Sequence, residues 1–383
     1  MRAFLPWLAA DALFLAAVVL QFILLDESAV LVEPPLTAGS EAAVATVMAL
    51  FLASAAVRLS VFPASFWVSD LVNRADPAWS AMFLGAVNFP VAGSRLLITA
   101  ALVARLVAAD WSLVLALLGA VSVVAGPVLA LRKGSLGGYV AGMYTLQAGV
   151  LLAGTALFSR AGVDSAYFTL LVAPLALSAA LMACGTVSHL RGGMGLDPGP
   201  IPRRAARAAF AALVVSGVSM VGLPPTDGFV SRALTALANL ERASLDPLYA
   251  LLAAALMAGA ALAAAALARM LSSVFTPGAS PLTGRRAHPL EGLAPAAVCA
   301  GSVFLGLFPG ILVRNLVWDA SRQLFRTGFE GPGVVFRGAG AAVERVFSFY
   351  NAWSETAAAF LLVALALALL SYFAAAVDWR AGN

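Results

Sequence analysis

Apolar runs long enough to cross a bilayer recur from residue 6 to residue 377 of this 383-residue chain. A helix of about 20 residues spans the hydrocarbon, so runs of this length leave little else for the chain to be. Ten are expected: 6–25, 41–62, 78–104, 112–131, 137–158, 166–189, 207–236, 247–273, 291–313 and 354–377. Charged residues make up 11% of the chain, against roughly 25% in a soluble domain. The predicted fold class is therefore an all-α polytopic membrane protein. The longest stretch between runs is 315–352, which leaves no room for a soluble catalytic domain. Asp11 inside the first run, and the length of that run, favour a spanning helix over a cleaved signal peptide.

Charge orients the runs. With the N-terminus inside, inner loops carry Arg2, Arg74, Arg132, Lys133, Arg191, Arg203, Arg204, Arg285, Arg286 and Arg380. Outer loops carry Asp26, Glu27, Glu33, Arg105, Asp110, Arg160, Asp164, Glu241 and Arg242. Positive residues gather on the cytoplasmic side, so both termini are expected there, in a prokaryotic cytoplasmic membrane. The net charge of +4 follows from this topology. No basic patch interleaved with aromatics suggests nucleic-acid binding.

Several chemistries lack their residues. Cys184 and Cys299 are far apart, and no CxxC is present, which argues against an iron–sulfur or zinc site. His189 and His288 cannot form an inward-facing haem pair. "RKGSLGGY" (132–139) is a tight turn without phosphate-loop spacing. No cofactor is expected in this chain, which is not catalytic alone. A partner or an ion gradient would supply the energy for any work it does.

Within the seventh run, "SGVSMVGLPPTDGFVSRAL" (216–234) sets two prolines and two charges at mid-span. Pro224 and Pro225 remove backbone donors, and Gly222 and Gly228 let the chain open. The segment has a relative, "FPASFWVSDL" (62–71). Aligned on Pro63 and Pro225, Trp67 falls on Phe229, Val68 on Val230, Ser69 on Ser231 and Asp70 on Arg232. Paired interrupted helices point to an inverted-repeat core with discontinuous helices. Two readings of 222–232 are open: a structural kink with a charge pair, or a polar site on an ion path.

"GLPPTDGFVSR" resembles the Gly-hydrophobic-Pro-Pro-x-x-Gly-Phe-x-x-Lys signature of the antiporter-like subunits of respiratory complex I, Mrp cation/proton antiporters and membrane-bound hydrogenases. In order along the chain, "AVRLSVFPASFWVSDLVNRADPAWSAMFLGAVN" (56–88) resembles the family's Lys-x-x-x-x-Pro-x-x-x-Trp-x-x-Asp segment, "LQAGVLLAGTAL" (146–157) its Ser-His/Gln-x-Gly helix, and "VFLGLFPGILV" (303–313) the end of its penultimate region. The resemblance covers about residues 8–315. It implies two inverted five-helix repeats, each with a discontinuous helix, and a polar chain at the mid-plane. It also implies partner membrane subunits and transport of protons or monovalent cations, with redox chemistry of an NADH/quinone or hydrogenase type carried by those partners. Full-length members begin with more helices. One of these bears the glutamate that pairs with the first channel lysine, and this sequence is expected to lack it. The first repeat is accordingly expected to be shortened. The expected division is 1–62 for the N-terminal helices and first interrupted helix, 63–111 for the rest of the first repeat, 112–275 for the second repeat, and 290–383 for the C-terminal helices with an amphipathic segment at 315–352.

The family's lysine positions fall on Arg58, Asn88 and Arg232. The sequence holds one lysine, Lys133, in a turn. Arginine stays protonated up to about pH 12, so a lysine-type relay cannot run through Arg58 or Arg232. Of the acids at or near the runs, Asp70 is expected in a loop or helix cap and Glu41 at a helix start on the outer side, Asp11 is open between the run and the cytoplasmic interface, Glu355 lies at the last run, and only Asp227 combines depth, a break and a nearby arginine. Arg95, beside an expected Pro90/Gly93 kink, is a second intramembrane cation. The ion-path candidates are thus Arg58, Asn88, Arg95, Asp227 and Arg232. A shortened antiporter-like subunit, a stand-alone transporter and a purely structural subunit remain open.

Overall fold

The computed structural model describes residues 5–25, 40–106, 108–194, 207–244, 246–275 and 289–324. The expected tenth run, the segment 325–352, Glu355 and His288 lie outside them. Every element among the described residues is helical: α1 (Leu5–Leu25), α2 (Ser40–Arg58), α3 (Phe66–Arg74), α4 (Pro77–Ser80), α5 (Phe89–Leu106), α6 (Ala108–Arg132), α7 (Leu136–Thr155), α8 (Arg160–Arg191), α9 (Arg207–Val221), α10 (Asp227–Ala243), α11 (Leu248–Val274), α12 (Pro289–Leu307), α13 (Pro309–Leu312) and α14 (Trp318–Leu324). Five helical stretches are long and apolar enough to span: Pro77–Ala100, Trp111–Arg132, Leu136–Thr155, Arg160–Arg191 and Leu248–Val274. A sixth is reached if α12 and the helix after it, bent by 87° at Phe308, count as one span. Leu5–Gln21, Ala45–Arg58 and Arg207–Val221 are apolar but shorter. The ten-span count of the sequence is therefore met only in part among the described residues. The main reason is that two expected runs are broken in the middle.

All of α7 is buried, because helices surround it. It packs against α6, α8, α3, α10 and α11. Lipid gives helices no hydrophobic reason to associate, so close backbone approach has to supply the contact. Between α6 and α7 it does: a Cβ on Gly126 would lie 2.5 Å from Gly142 O, and one on Gly149 2.9 Å from Gly119 O. At the C-terminal end of α6, Arg269 of α11 donates to Leu131 O and closes the last turn. Lys133 follows in the α6–α7 turn, its stem over Gly138.

Pro90 was expected to kink its helix. Instead, Pro77–Ala100 runs as one span whose middle, Ala81–Asn88, is wound as π-helix. The wider turn ends at Asn88, with Phe89 N donating to Leu84 O, just before the proline that can donate nothing. Gly93 is a packing position, since a Cβ there would meet Leu170 Cδ1 at 2.3 Å.

Candidate functional site: two interrupted helices

The two interruptions share one backbone. Aligned on Pro63 and Pro225, Ser60 falls on Gly222, and both are left-handed, with φ of 58° and 83°. Val61 N donates to Ala56 O at 2.9 Å, and its counterpart Leu223 N to Val218 O at 3.1 Å. Ser60 N reaches Val57 O at 3.1 Å, and Gly222 N reaches Ser219 O at 3.0 Å. Ala64 N reaches Val61 O at 2.7 Å, and Thr226 N reaches Leu223 O at 3.3 Å. A left-handed residue that turns the chain back onto the last helical carbonyls is a helix stop, and here it is used twice. The peptide bonds Phe62–Pro63 and Pro224–Pro225 are both cis.

Each stop frees carbonyls that must find donors in hydrocarbon. At the first break, Trp67 Nε1 donates to Val57 O at 2.9 Å and Asn88 Nδ2 to Arg58 O at 2.9 Å. Thr145 Oγ1 donates to Ser60 O at 3.0 Å, and Ser122 Oγ accepts from Phe62 N at 3.1 Å. At the second break, Arg232 Nη2 donates to Met220 O, the counterpart of Arg58 O. Thr226 Oγ1 donates to Leu223 O at 2.6 Å.

The charges are handled differently at the two breaks. At the first, the structure brings Arg58, Asn88 and Arg95 together around Asp11. Arg58 Nη2 and Arg95 Nη1 both contact Asp11 Oδ1, the second at 3.5 Å. Arg58 stacks over Trp7 at 4.4 Å and Arg95 over Phe14 at 4.1 Å. Asn88 completes the group: its Nδ2 also donates to Tyr144 Oη at 2.8 Å, and its Oδ1 accepts from Trp7 Nε1 at 3.3 Å. Asp11 is the hub of this group, and its partners lie 47 and 84 residues away in the chain, beyond what local sequence can signal. The carboxylate that meets Arg58 comes from α1.

At the second break, Asp227 opens α10 and is fully buried. Its Oδ1 accepts from Ser219 Oγ at 2.6 Å, Ser302 Oγ at 2.5 Å and Gly228 N at 2.8 Å. Its Oδ2 has no hydrogen-bond partner among the described residues, and neither do Nε and Nη1 of buried Arg232. Asp227 and Arg232, which the kink reading would pair, form no ion pair, and the guanidinium turns to Met220 O instead. Glycine makes this arrangement possible. A Cβ on Gly222 would lie 2.0 Å from Arg232 Cδ, one on Gly228 1.8 Å from Ser219 O, and one on Gly306 of α12 2.2 Å from Pro225 O.

Asp227 begins a buried polar face of α10 that continues through Ser231, Thr235 and Asn239, one turn apart. Ser231 Oγ meets Thr169 Oγ of α8 at 2.6 Å, and Asn239 Nδ2 donates to Thr235 O at 2.7 Å. Four-residue spacing was the signal that could have found this face. Ser302 carried no such signal, since it lies 75 residues from Asp227. Asp70 is exposed on α3, away from both groups. The helix after the 87° bend covers the site from outside, with Val313 and Val317 packed on Phe168, Val172, Val230 and Leu234.

The described residues hold no group of His, Cys, Asp and Glu that could bind a metal. NADH-quinone oxidoreductase subunit N 2 of Solidesulfovibrio magneticus is 30% identical over 188 residues, which is 48% of this chain and 39% of that protein. The chain thus spans about two fifths of that relative. In fold it resembles a chain of the Mrp complex from Dietzia (TM-score 0.70, 19% identity, 85% of this chain and 67% of that one). It also resembles a chain of respiratory complex I from Thermus thermophilus (TM-score 0.62, 22% identity, 82% and 68%). Residues 1–258, which include both breaks, match the family described as NADH:quinone oxidoreductase/Mrp antiporter, TM, and the chain belongs to this family of polytopic membrane proteins.

Proposed function

We propose that this chain is a divergent antiporter-like subunit of a multi-subunit respiratory or ion-translocating membrane complex. It contributes scaffold and a conducting path for protons or a monovalent cation, coupled to partner subunits. The observation that carries the reading is the second break: a fully buried carboxylate and a buried guanidinium with open hydrogen-bonding positions, held at a helix stop. Ionisable groups at such depth are costly and usually mark ion routes. The matched stops at 56–64 and 218–226 support two repeats with a discontinuous helix in each. About ten spans, both termini cytoplasmic and a prokaryotic cytoplasmic membrane complete the reading. Arg58, Asn88, Arg95, Asp227 and Arg232 are its path residues. The first group, closed on itself by Asp11, serves scaffold more than conduction.

Isolation of the tagged chain from its native membranes in mild detergent tests this. Co-purification of a quinone-reducing or hydrogenase-like arm, or of sister antiporter subunits, is the expected result and would name the reaction. A monomer or homodimer free of partners would overturn the subunit reading in favour of a stand-alone transporter.

A further inference from the structure

Asp227 is hydrogen-bonded unequally. Oδ1 takes three donors, from Ser219, Ser302 and Gly228, while Oδ2 takes none among the described residues. An ionised carboxylate accepts at both oxygens, whereas a carboxylic acid has one accepting oxygen and one that bears hydrogen. Oδ2 of Asp227, fully buried and without a donor among the described residues, is thus the oxygen open to a proton. Among the described residues no cation pairs with Asp227: Arg232 turns to Met220 O. Asp11, by contrast, is contacted by both of its arginines. The other groups set around Asp227 are hydroxyls and the thiol of Cys299, one turn from Ser302 on α12. That thiol points to Ala212 O at 3.6 Å. Arg232 keeps its proton at any working pH.

We propose that Asp227 is the proton-carrying side chain of this chain, binding one proton at Oδ2 and releasing it again. Arg232, held on Met220 O, remains a fixed positive charge and does not carry the proton. In the uptake step hydronium gives its proton to Oδ2 and becomes water. In release the Oδ2–H bond breaks to water and hydronium is regenerated, with no change of oxidation state. The proton-carrying position has thereby moved from residue 232, where the family signature has lysine, to residue 227. The inference rests on the conducting reading above and adds the atom that carries the proton.

Infrared difference spectroscopy of the purified protein, with its partners where they co-purify, tests this without relying on turnover. A protonated-carboxyl C=O band is expected in wild type. It should diminish as pH rises and shift in D2O. The band should be absent from Asp227→Asn, displaced in frequency in Asp227→Glu, and retained in Arg232→Lys. An unchanged band in Asp227→Asn, or no titrating band in wild type, would overturn the assignment. Proton flux in liposomes separates this from the broader reading. Flux that survives Asp227→Asn defeats the assignment but leaves conduction standing. A titrating Asp227 band in a wild type that carries no protons defeats conduction but leaves the assignment standing.

Discussion

The two breaks have the same backbone and opposite electrostatics. Where the second break has Met220, the first has Arg58; where the first has Ser65, the second has Asp227. At the first break, charge is closed on charge: two arginines share Asp11, which is 35% exposed, and an aromatic ring lies under each guanidinium. At the second, charge is met by neutral groups, namely two serine hydroxyls, a backbone N–H and a backbone carbonyl, with polar atoms left open at 0% exposure for Asp227. The lesson is that one helix stop can carry either a lock or a site, according to whether its charges find one another. The first break should therefore fail when a charge is removed, and the second when a small residue is enlarged.

The largest expected effect lies at the second break. Gly306→Leu drives a side chain into Pro225 O and Thr226 C, which a Cβ alone would already approach to 2.2 and 2.3 Å. Backbone cannot yield as a flexible side chain does, and overpacking costs about 3 kcal/mol or more when nothing can move. Thermal unfolding in detergent is expected to show this loss, or no folded protein to be recovered. A variant as stable as wild type would mean that α12 does not hold the break. Next in size is Asp11→Ala, which leaves two arginines facing each other in a poorly solvated seam. Breaking a fully buried pair costs about 3–5 kcal/mol, and the partial exposure of Asp11 brings the expectation to about 2 kcal/mol. A double-mutant cycle with Arg95→Gln should recover part of it.

Asp227→Asn is expected to do the reverse of Asp11→Ala. Asparagine keeps an oxygen for Ser219, Ser302 and Gly228, so stability should fall by no more than about 1 kcal/mol. Coupled ion movement should fall about tenfold or more while the complex still assembles, equivalent to about 1.4 kcal/mol on the barrier. Equal flux in the variant would make the second break a lock as well.

Much of this was legible in the sequence, for physical reasons. Prolines and glycines dictate backbone directly, so 222–228 is readable as a break and Pro225 matches Pro63 of the segment 62–71 from sequence alone. Long apolar stretches such as Leu136–Thr155 and Leu248–Val274 declared themselves by length alone. What stayed hidden were contacts between segments remote in the chain. Asp11 meets Arg58 across 47 residues and Arg95 across 84, and nothing local in "AADAL" points to either. For the same reason Asp227 and Arg232, near neighbours in sequence, suggested a pair. Side-chain reach to α9 decided otherwise, because Met220 O lay open to the guanidinium.

The smallest expected effect compares the left-handed position itself. The second break fills it with Gly222, where a Cβ would strike Arg232; the first fills it with Ser60. A side chain in the left-handed region costs about 1–2 kcal/mol, and the buried Ser60 Oγ has no hydrogen-bond partner among the described residues to offset that. Ser60→Gly removes both penalties and adds chain entropy to the unfolded state worth roughly 0.5–1 kcal/mol against folding. The backbone contacts of residue 60, its N–H to Val57 O and its carbonyl to Thr145 Oγ1, survive the change. A net gain of about 1 kcal/mol is expected, read as a higher unfolding temperature at unchanged assembly. A loss of stability would show that the Ser60 side chain has a partner in the assembled complex. That would place a subunit contact at the first break and turn its closed cluster from an internal lock into part of an interface.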